Sequence, residues 1–156
     1  MTAAPTAPRQ LAGNRRALHD YHVRERFEAG VALTGTEVKS CRAGRIQLRE
    51  GYVDFRNGEA WLVGVHVSPY PHGGRDNPAP DRDRKLLLSR REIDRLAGRV
   101  RVKGLTVVPL SVYLKGSRIK LEIALVQGKQ LHDKREAAKR RRLDEEARRA
   151  MAGEPD

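Results

Sequence analysis

The chain carries a single cysteine, Cys41, in 156 residues. That excludes an intramolecular disulfide and a cysteine-rich zinc site, and it suits a reducing cytosol. Aromatic residues make up only 4%, which weakens any reading based on stacking single-stranded bases against rings. No apolar run approaches the roughly 20 residues needed to span a bilayer. The opening Met1-Thr2-Ala3-Ala4-Pro5 lacks a charged n-region followed by an apolar h-region, so secretion is not expected. No His–acid–nucleophile spacing and no cluster of metal ligands is visible, so neither catalysis, a metal nor a cofactor is expected. His22, His66, His72 and His132 read as structural or solvated. Glu28 and Glu37 lack a second catalytic group and read as capping or salt-bridging residues. A nuclease would need paired carboxylates or a His/Lys pair, and neither is evident.

What the chain has is positive charge. Lys and Arg number 32 against 20 Asp and Glu, a formal net charge of +12. Charge of this size points to phosphate backbones or an anionic surface as partners and says little about fold. It is densest in the run from Gly128 to Arg142, which has almost no large apolar residue and cannot bury a core. From about Asp133 to Met151 there is no Gly or Pro, and Ala, Arg, Lys, Glu and Leu, all good helix formers, dominate. Glu136/Arg140 and Glu145/Arg149 place an acid four residues before a base, the favourable order. The apolar stripe is thin, so this tail is expected to be disordered when free and to fold as a helix on a partner.

Ahead of the tail the pattern is that of a small β-rich domain. Residues 1–13 are rich in Ala, Pro and Thr at their start and are expected to be a disordered extension. Tyr21 to Val31 alternates as a strand. Thr34 with Glu37, and Ser89 with Glu92, have capping-box spacing, predicting helices that run to about Ala43 and Ala97 with Gly44 and Gly98 as stops. One strand is expected from Ile46 to Arg56 with a bulge at Gly51. The Asn57-Gly58 pair predicts a tight hairpin turn. The return strand should present Trp61, Val63, Val65 and Val67 on one face. Pro69 to Asp83 reads as a long loop, functional or mobile. Two strands follow, about Leu105–Leu114 with Val108, Leu110, Val112 and Leu114 on one face, and Arg118–Val126 with Ile119, Leu121, Ile123 and Leu125 inward and Arg118 and Lys120 outward. Together these predict a mainly β fold with short helices: an OB-like closed antiparallel barrel over 14–127, followed by a basic helix-forming tail over 128–156.

The segment Asn14-Arg15-Arg16-Ala17-Leu18-His19-Asp20-Tyr21 combines cations, a histidine and an aromatic. It suits a phosphate grip and, equally, an ordinary basic lead-in to a strand. Cys41 on its short helix reads as a packing residue.

Several motifs in order resemble one family. They are Asn14-Arg-Arg-Ala-x-His19-Asp-Tyr21, Phe27-Glu-Ala-Gly-x-x-Leu-x-Gly-x-Glu37-Val-Lys-Ser-x-Arg-Ala-Gly44, Ser68-Pro-Tyr70, Arg84-Lys-Leu-Leu-Leu88, Arg91-Glu-Ile-Asp94, Gly104-x-Thr-Val-Val108 and Gly128-Lys-x-x-x-Asp-Lys-Arg135. The chain resembles the SmpB family, the SsrA-binding proteins of bacterial trans-translation, from about Asn14 to Arg142. The resemblance implies an OB-like barrel that binds the tRNA-like domain of transfer-messenger RNA. It implies that the protein stands in for the missing anticodon arm and delivers this RNA to stalled ribosomes, so that the nascent peptide is tagged for degradation. Asn14, Glu28, Leu87 and Lys120 match barrel positions tied to that RNA, with Arg15 and Arg16 beside them in the same motif. His19 matches a histidine placed towards the decoding centre. Asp133, Lys134 and Arg135 match the tail motif needed on the ribosome, and Lys129, Lys139, Arg140, Arg141 and Arg142 extend the ribosome-contacting set into the messenger channel. The resemblance also implies elongation factor Tu as a companion in the delivery complex. A monomer in the cytoplasm, away from membranes, is expected. The alternative is a basic ribosomal or ribosome-assembly protein of OB type. Cys41 stands where the family commonly has Leu, a change that should alter packing only.

Overall fold

The computed structural model describes residues 9–129, 142–143 and 145–148. In chain order the elements are β1 (Arg9–Gly13), α1 (Arg15–Asp20), β2 (Tyr21–Val31), α2 (Gly35–Arg42), β3 (Ile46–Gln47), β4 (Tyr52–Arg56), β5 (Glu59–Val63), β6 (His66–Val67), β7 (Arg84–Leu87), α3 (Arg90–Arg99), β8 (Leu105–Lys115) and β9 (Arg118–Gly128).

The local signals act as the side chains dictate. Thr34 and Ser89 each cap a helix with the reciprocal bond from Glu37 and Glu92. Asn57 and Gly58 adopt φ of 51° and 75°, the positive values that a tight hairpin turn between right-twisted strands requires. Gly98 does not stop α3, which continues to Arg99 and is capped at Val100.

Seven strands form one antiparallel sheet in the order β1-β8-β9-β2-β7-β5-β4, and β3 pairs with β6 in a small second sheet. The sheet does not close into the expected barrel. β4 runs beside β8 but no ladder joins them. The edge of β8 that closure would need is taken over Ser111–Leu114 by β1. Further along that edge stands Pro109, which has no N–H to give to a ladder. The predicted disordered extension is therefore too long: residues 9–13 are a strand, with Leu11 and Ala12 packed on the core. Residues 1–8 lie outside the described residues.

Four other expectations change. The stretch from Ile46 to Arg56 is two strands in different sheets, separated by a turn in which Gly51 N–H donates to the Leu48 carbonyl at 2.8 Å. In the return strand Ala60 and Leu62 are buried, then Val65 and Val67, while Trp61 faces the other way. Gly64, at φ 77°, reverses the parity between the two pairs. β8 carries a register shift between Pro109 and Ser111, so Val107 and Val112 enter the main core while Val108 and Leu110 turn to the opposite face. The segment Arg84–Leu87, absent from the strands that alternation predicts, is a central strand between β2 and β5.

The main core lies inside the curled sheet and is closed by α2 and α3 through Cys41, Ile93 and Leu96. Burial pushes the Cys41 thiol up to about 11, so it is a protonated packing group at neutral pH. A second apolar cluster sits on the outer face of the sheet, where Ala17 of α1 packs against Val108, Leu110, Ala124 and Val126. β9 thus has both faces covered near its end.

Candidate nucleic-acid interface

The segment from Asn14 to Asp20 is a short helix, not a plain lead-in. Asn14 starts it: its side-chain oxygen accepts from Ala17 N–H at 3.2 Å. The side-chain amide of the same residue donates to the carbonyls of Pro109 at 2.9 Å and Leu48 at 3.3 Å. Its own N–H donates to the Leu110 carbonyl at 2.8 Å. Asn14 thereby ties α1 to the seam where the sheet fails to close, and it is only 6% exposed. The polar atoms of this residue, predicted to touch RNA, are engaged inside the protein. What the seam presents outward is Arg15, Arg16, Leu18 and His19, all exposed on α1.

Arg16 spans a cleft between α1 and the turn before β4, with Nε 3.4 Å from Asp20 and Nη1 3.2 Å from Glu50. Arg49, Tyr21 and Tyr52 line the same cleft. His19 Nδ1 lies 2.9 Å from Asp20 Oδ1, which leaves Nε2 as the ring nitrogen not engaged with Asp20. The carbonyl of Asp20 accepts from Lys129 N–H at 3.0 Å. The tail thus leaves the domain beside His19.

The outer face next to α1 is the second half of the interface. Four antiparallel strands place Leu87, Gly30, Lys120 and Tyr113 directly opposite one another in a single row. Opposed residues share a face of the sheet. Leu87 is 56% exposed, and its side chain lies over Gly30, where a Cβ would come within 3.1 Å of the Leu87 Cβ. Glu28, two residues before Gly30, belongs to the same face. It is opposed by Glu122, and like charges in that arrangement repel unless each has its own cation. Arg26 Nη1 contacts Glu122 at 2.6 Å, and Lys115 Nζ contacts Glu28 at 3.2 Å. Tyr113 Oη donates to Glu28 Oε2 at 2.5 Å. That hydrogen bond, and then Lys115, hold the Glu28 carboxyl below its usual range. Burial and the Glu28 carboxylate push the Tyr113 phenol up.

Glu28, Leu87 and Lys120, distant in sequence, are therefore brought together, while Asn14, Arg15, Arg16 and His19 form a separate group on α1. Tyr113, Lys115, Arg49 and Tyr52 were not anticipated. Simple alternation with Val112 already turns Tyr113 outward, but its partner Glu28 lies 85 positions away on β2 and nothing local in the sequence pairs the two. Lys129 is half-buried at the root of the tail. Asp133, Lys134, Arg135, Lys139, Arg140 and Arg141 lie outside the described residues. Arg142 and Leu143 have helical backbone and exposed side chains.

The long loop after β6 is pinned down. Tyr70 and Asn77 exchange two hydrogen bonds of 2.9 Å, and Lys39 Nζ sits 5.1 Å from the Tyr70 ring centre. The loop's far end is anchored by a buried ion network. Arg84, 0% exposed, donates to Glu37 at 2.7 Å and to the carbonyls of Val65, Pro80 and Arg82. Arg82 reaches Glu37 at 2.5 Å. Burial alone would raise the Glu37 carboxyl, but Arg82, the Thr34 N–H and Arg84 together hold it below its usual range. Glu37 is a cap and a salt-bridge partner, as its spacing predicts. Among the described residues no group of three or more His, Cys, Asp or Glu could hold a metal, and no helix is long and apolar enough to cross a membrane.

Comparison with known proteins bears on this surface. The profile of a family described as SmpB protein matches residues 11–153. The SsrA-binding protein of Oleidesulfovibrio alaskensis is 55% identical over 141 residues, covering 90% of this chain and 91% of that protein. That of Gloeothece citriformis is 56% identical over 142 residues, covering 90% and 92%. A solved structure described as "tmRNA-SmpB: a journey to the center of the bacterial ribosome" superposes with a TM-score of 0.66 at 42% identity, covering 86% of this chain and 95% of that chain.

Proposed function

The chain belongs to the SmpB family, and from that premise we propose that it binds the tRNA-like domain of transfer-messenger RNA and delivers it to stalled ribosomes for trans-translation. It replaces the missing anticodon arm of that RNA, and the nascent peptide is then tagged for degradation. The protein is an adaptor and not an enzyme. It acts in the cytoplasm as a monomer, with elongation factor Tu in the delivery complex.

The observation that carries this reading is the assembled outer face. Glu28, Leu87 and Lys120 come from three strands and meet in one patch, on a chain of net charge +12 whose relatives are named for binding SsrA. A scattered set of solvent-exposed residues would have no reason to converge. The second support is the root of the tail. Because Lys129 is bonded to Asp20, whatever surface His19 meets, the tail enters from the same point. His19 takes the decoding centre, and Lys129, Asp133, Lys134, Arg135, Lys139, Arg140, Arg141 and Arg142 follow the messenger channel. An occupied channel would exclude that helix sterically, so vacancy of the channel is what the tail senses.

A gel shift with the tRNA-like domain of transfer-messenger RNA beside an elongator tRNA tests the first step. Preference for the former is expected, and equal binding would overturn the reading. Cutting the chain after Gly128 should leave that affinity in place and abolish rescue of stalled ribosomes.

A further inference from the structure

The geometry points to Tyr113 and Lys115 as positioning residues that hold Glu28 ready to accept a hydrogen bond from the bound RNA, given by a base edge or a ribose 2′-hydroxyl. The inference rests on the proposed RNA-binding role of this face.

An ionised carboxylate only accepts hydrogen bonds. Phosphate oxygens also only accept, so a carboxylate set against the RNA backbone would repel it. Yet Glu28 is held on a strand face beside Lys120, and two residues from β8 reach across β9 to fix it. Tyr113 Oη donates to Oε2 at 2.5 Å, while Lys115 Nζ lies 3.2 Å from Oε1 and 3.4 Å from Oε2. Glu122, the acid directly opposite on β9, is taken by Arg26. The Glu28 side chain remains 40% exposed, so acceptor capacity is left for a partner. The phenol spends its only proton on Glu28 and cannot itself donate to RNA. Its part is to fix the carboxylate in one orientation, which reduces the ordering cost of a contact made by a flexible glutamate. Lys120, opposite Tyr113, supplies the cation that draws the backbone alongside.

The test is a double-mutant cycle on the full chain, with a transcript of the tRNA-like domain as probe and binding measured over a range of salt. Tyr113→Phe and Glu28→Gln should each weaken binding about tenfold, the loss typical of a hydrogen bond to a charged group. The double variant should be no weaker than the worse single one. The slope of log K against log[salt] should stay at the wild-type value, because no phosphate contact is lost. In the free protein, the Glu28 carboxyl should titrate at higher pH in Tyr113→Phe, with thermal unfolding little changed. Replacing the nucleotides that the protein shields by 2′-deoxy forms separates the donors. The Glu28→Gln penalty disappears if the donor is a 2′-hydroxyl and persists if it is a base edge. Additive effects, wild-type binding by Tyr113→Phe, or a salt slope lowered by about 0.9 as for a lost duplex phosphate contact would overturn the inference. Wild-type protein that fails to prefer this RNA over elongator tRNA would instead overturn the proposed function, before any variant is compared.

Discussion

The backbone N–H of Lys129 donates to the carbonyl of Asp20 at 3.0 Å, joining the first residue after the last strand to the end of the first helix. His19, bonded to the side chain of the same aspartate, is thereby fixed beside the point where the basic tail begins. Lys129→Pro removes that N–H without shortening the tail. Affinity for the tRNA-like domain is expected to stay unchanged while rescue of stalled ribosomes falls, because the direction in which the tail leaves is no longer set. Equal rescue by the variant and the wild type would show that the root needs no fixed direction.

Asn14 makes a stability prediction that differs from what its family motif suggests. Its side chain caps α1 and bridges the carbonyls of Leu48 and Pro109 across the open seam. Asn14→Ala loses a cap, worth about 1 kcal/mol, and takes its donor from two carbonyls: that of Leu48 still accepts from Gly51 N–H at 2.8 Å, while loss of the bond to the Pro109 carbonyl costs about 1–3 kcal/mol. A loss of roughly 2–4 kcal/mol in urea unfolding is expected on those terms. Asn14→Asp keeps the acceptor for Ala17 but sets a carboxylate against two carbonyls, and should be the less stable of the two. Weakened RNA binding in either variant is then an indirect effect through the placement of Arg15 and Arg16. Undiminished stability of Asn14→Ala would return Asn14 to the direct-contact set.

How much of this was legible beforehand depends on range. The Thr34 and Ser89 caps and the Asn57-Gly58 turn are decided within four residues, and the sequence carries them openly. The open edge of the sheet is decided by the competition of β1 and β4 for one side of β8, between segments about forty or more positions apart. Helix α1 was hidden because only Ala17 of its residues is buried, too little to show a helical period. Trp61 was assigned to the wrong face because the reversal at Gly64 depends on a positive φ that alternation counting does not see. The patch of Glu28, Leu87 and Lys120 had no local signature at all. Family resemblance named its members, and strand register explains why they belong together.

The buried network of Glu37, Arg82 and Arg84 predicts a definite acid limit. The Glu37 carboxyl is held below its ordinary value of 4.5 in the folded chain. A depressed folded value means that this contribution to stability is complete above the unfolded value, and is lost as pH falls through the folded one. Stability should therefore be flat from neutrality down to about pH 5 as far as this group is concerned, and should fall below about 4.5. Glu28, also held low, adds in the same direction, more weakly because it is exposed. Glu37→Gln should flatten the acid limb. At pH 7 it should cost about 3–5 kcal/mol, because Arg84 is left buried without its counter-charge. Equal acid limbs in the variant and wild type would show that other carboxylates set the limit.

Salt dependence separates the two halves of the interface. Arg15 and Arg16 are exposed cations, and the outer-face group built on Glu28 carries mixed charge. If α1 grips the RNA backbone, replacing Arg15 by Gln should lower the slope of log K against log[salt] by about 0.9 for a duplex phosphate, or about 0.7 for a single strand. Arg16→Gln should do less, since Arg16 must first leave Asp20 and Glu50, and those contacts offset part of what it gains. Leu87→Ala carries no charge and removes only apolar surface over Gly30. It should therefore weaken binding at every salt concentration alike and leave the slope untouched. Identical slopes for wild type and Arg15→Gln would remove α1 from the backbone-gripping surface and leave the phosphate contacts to Lys120 and its neighbours.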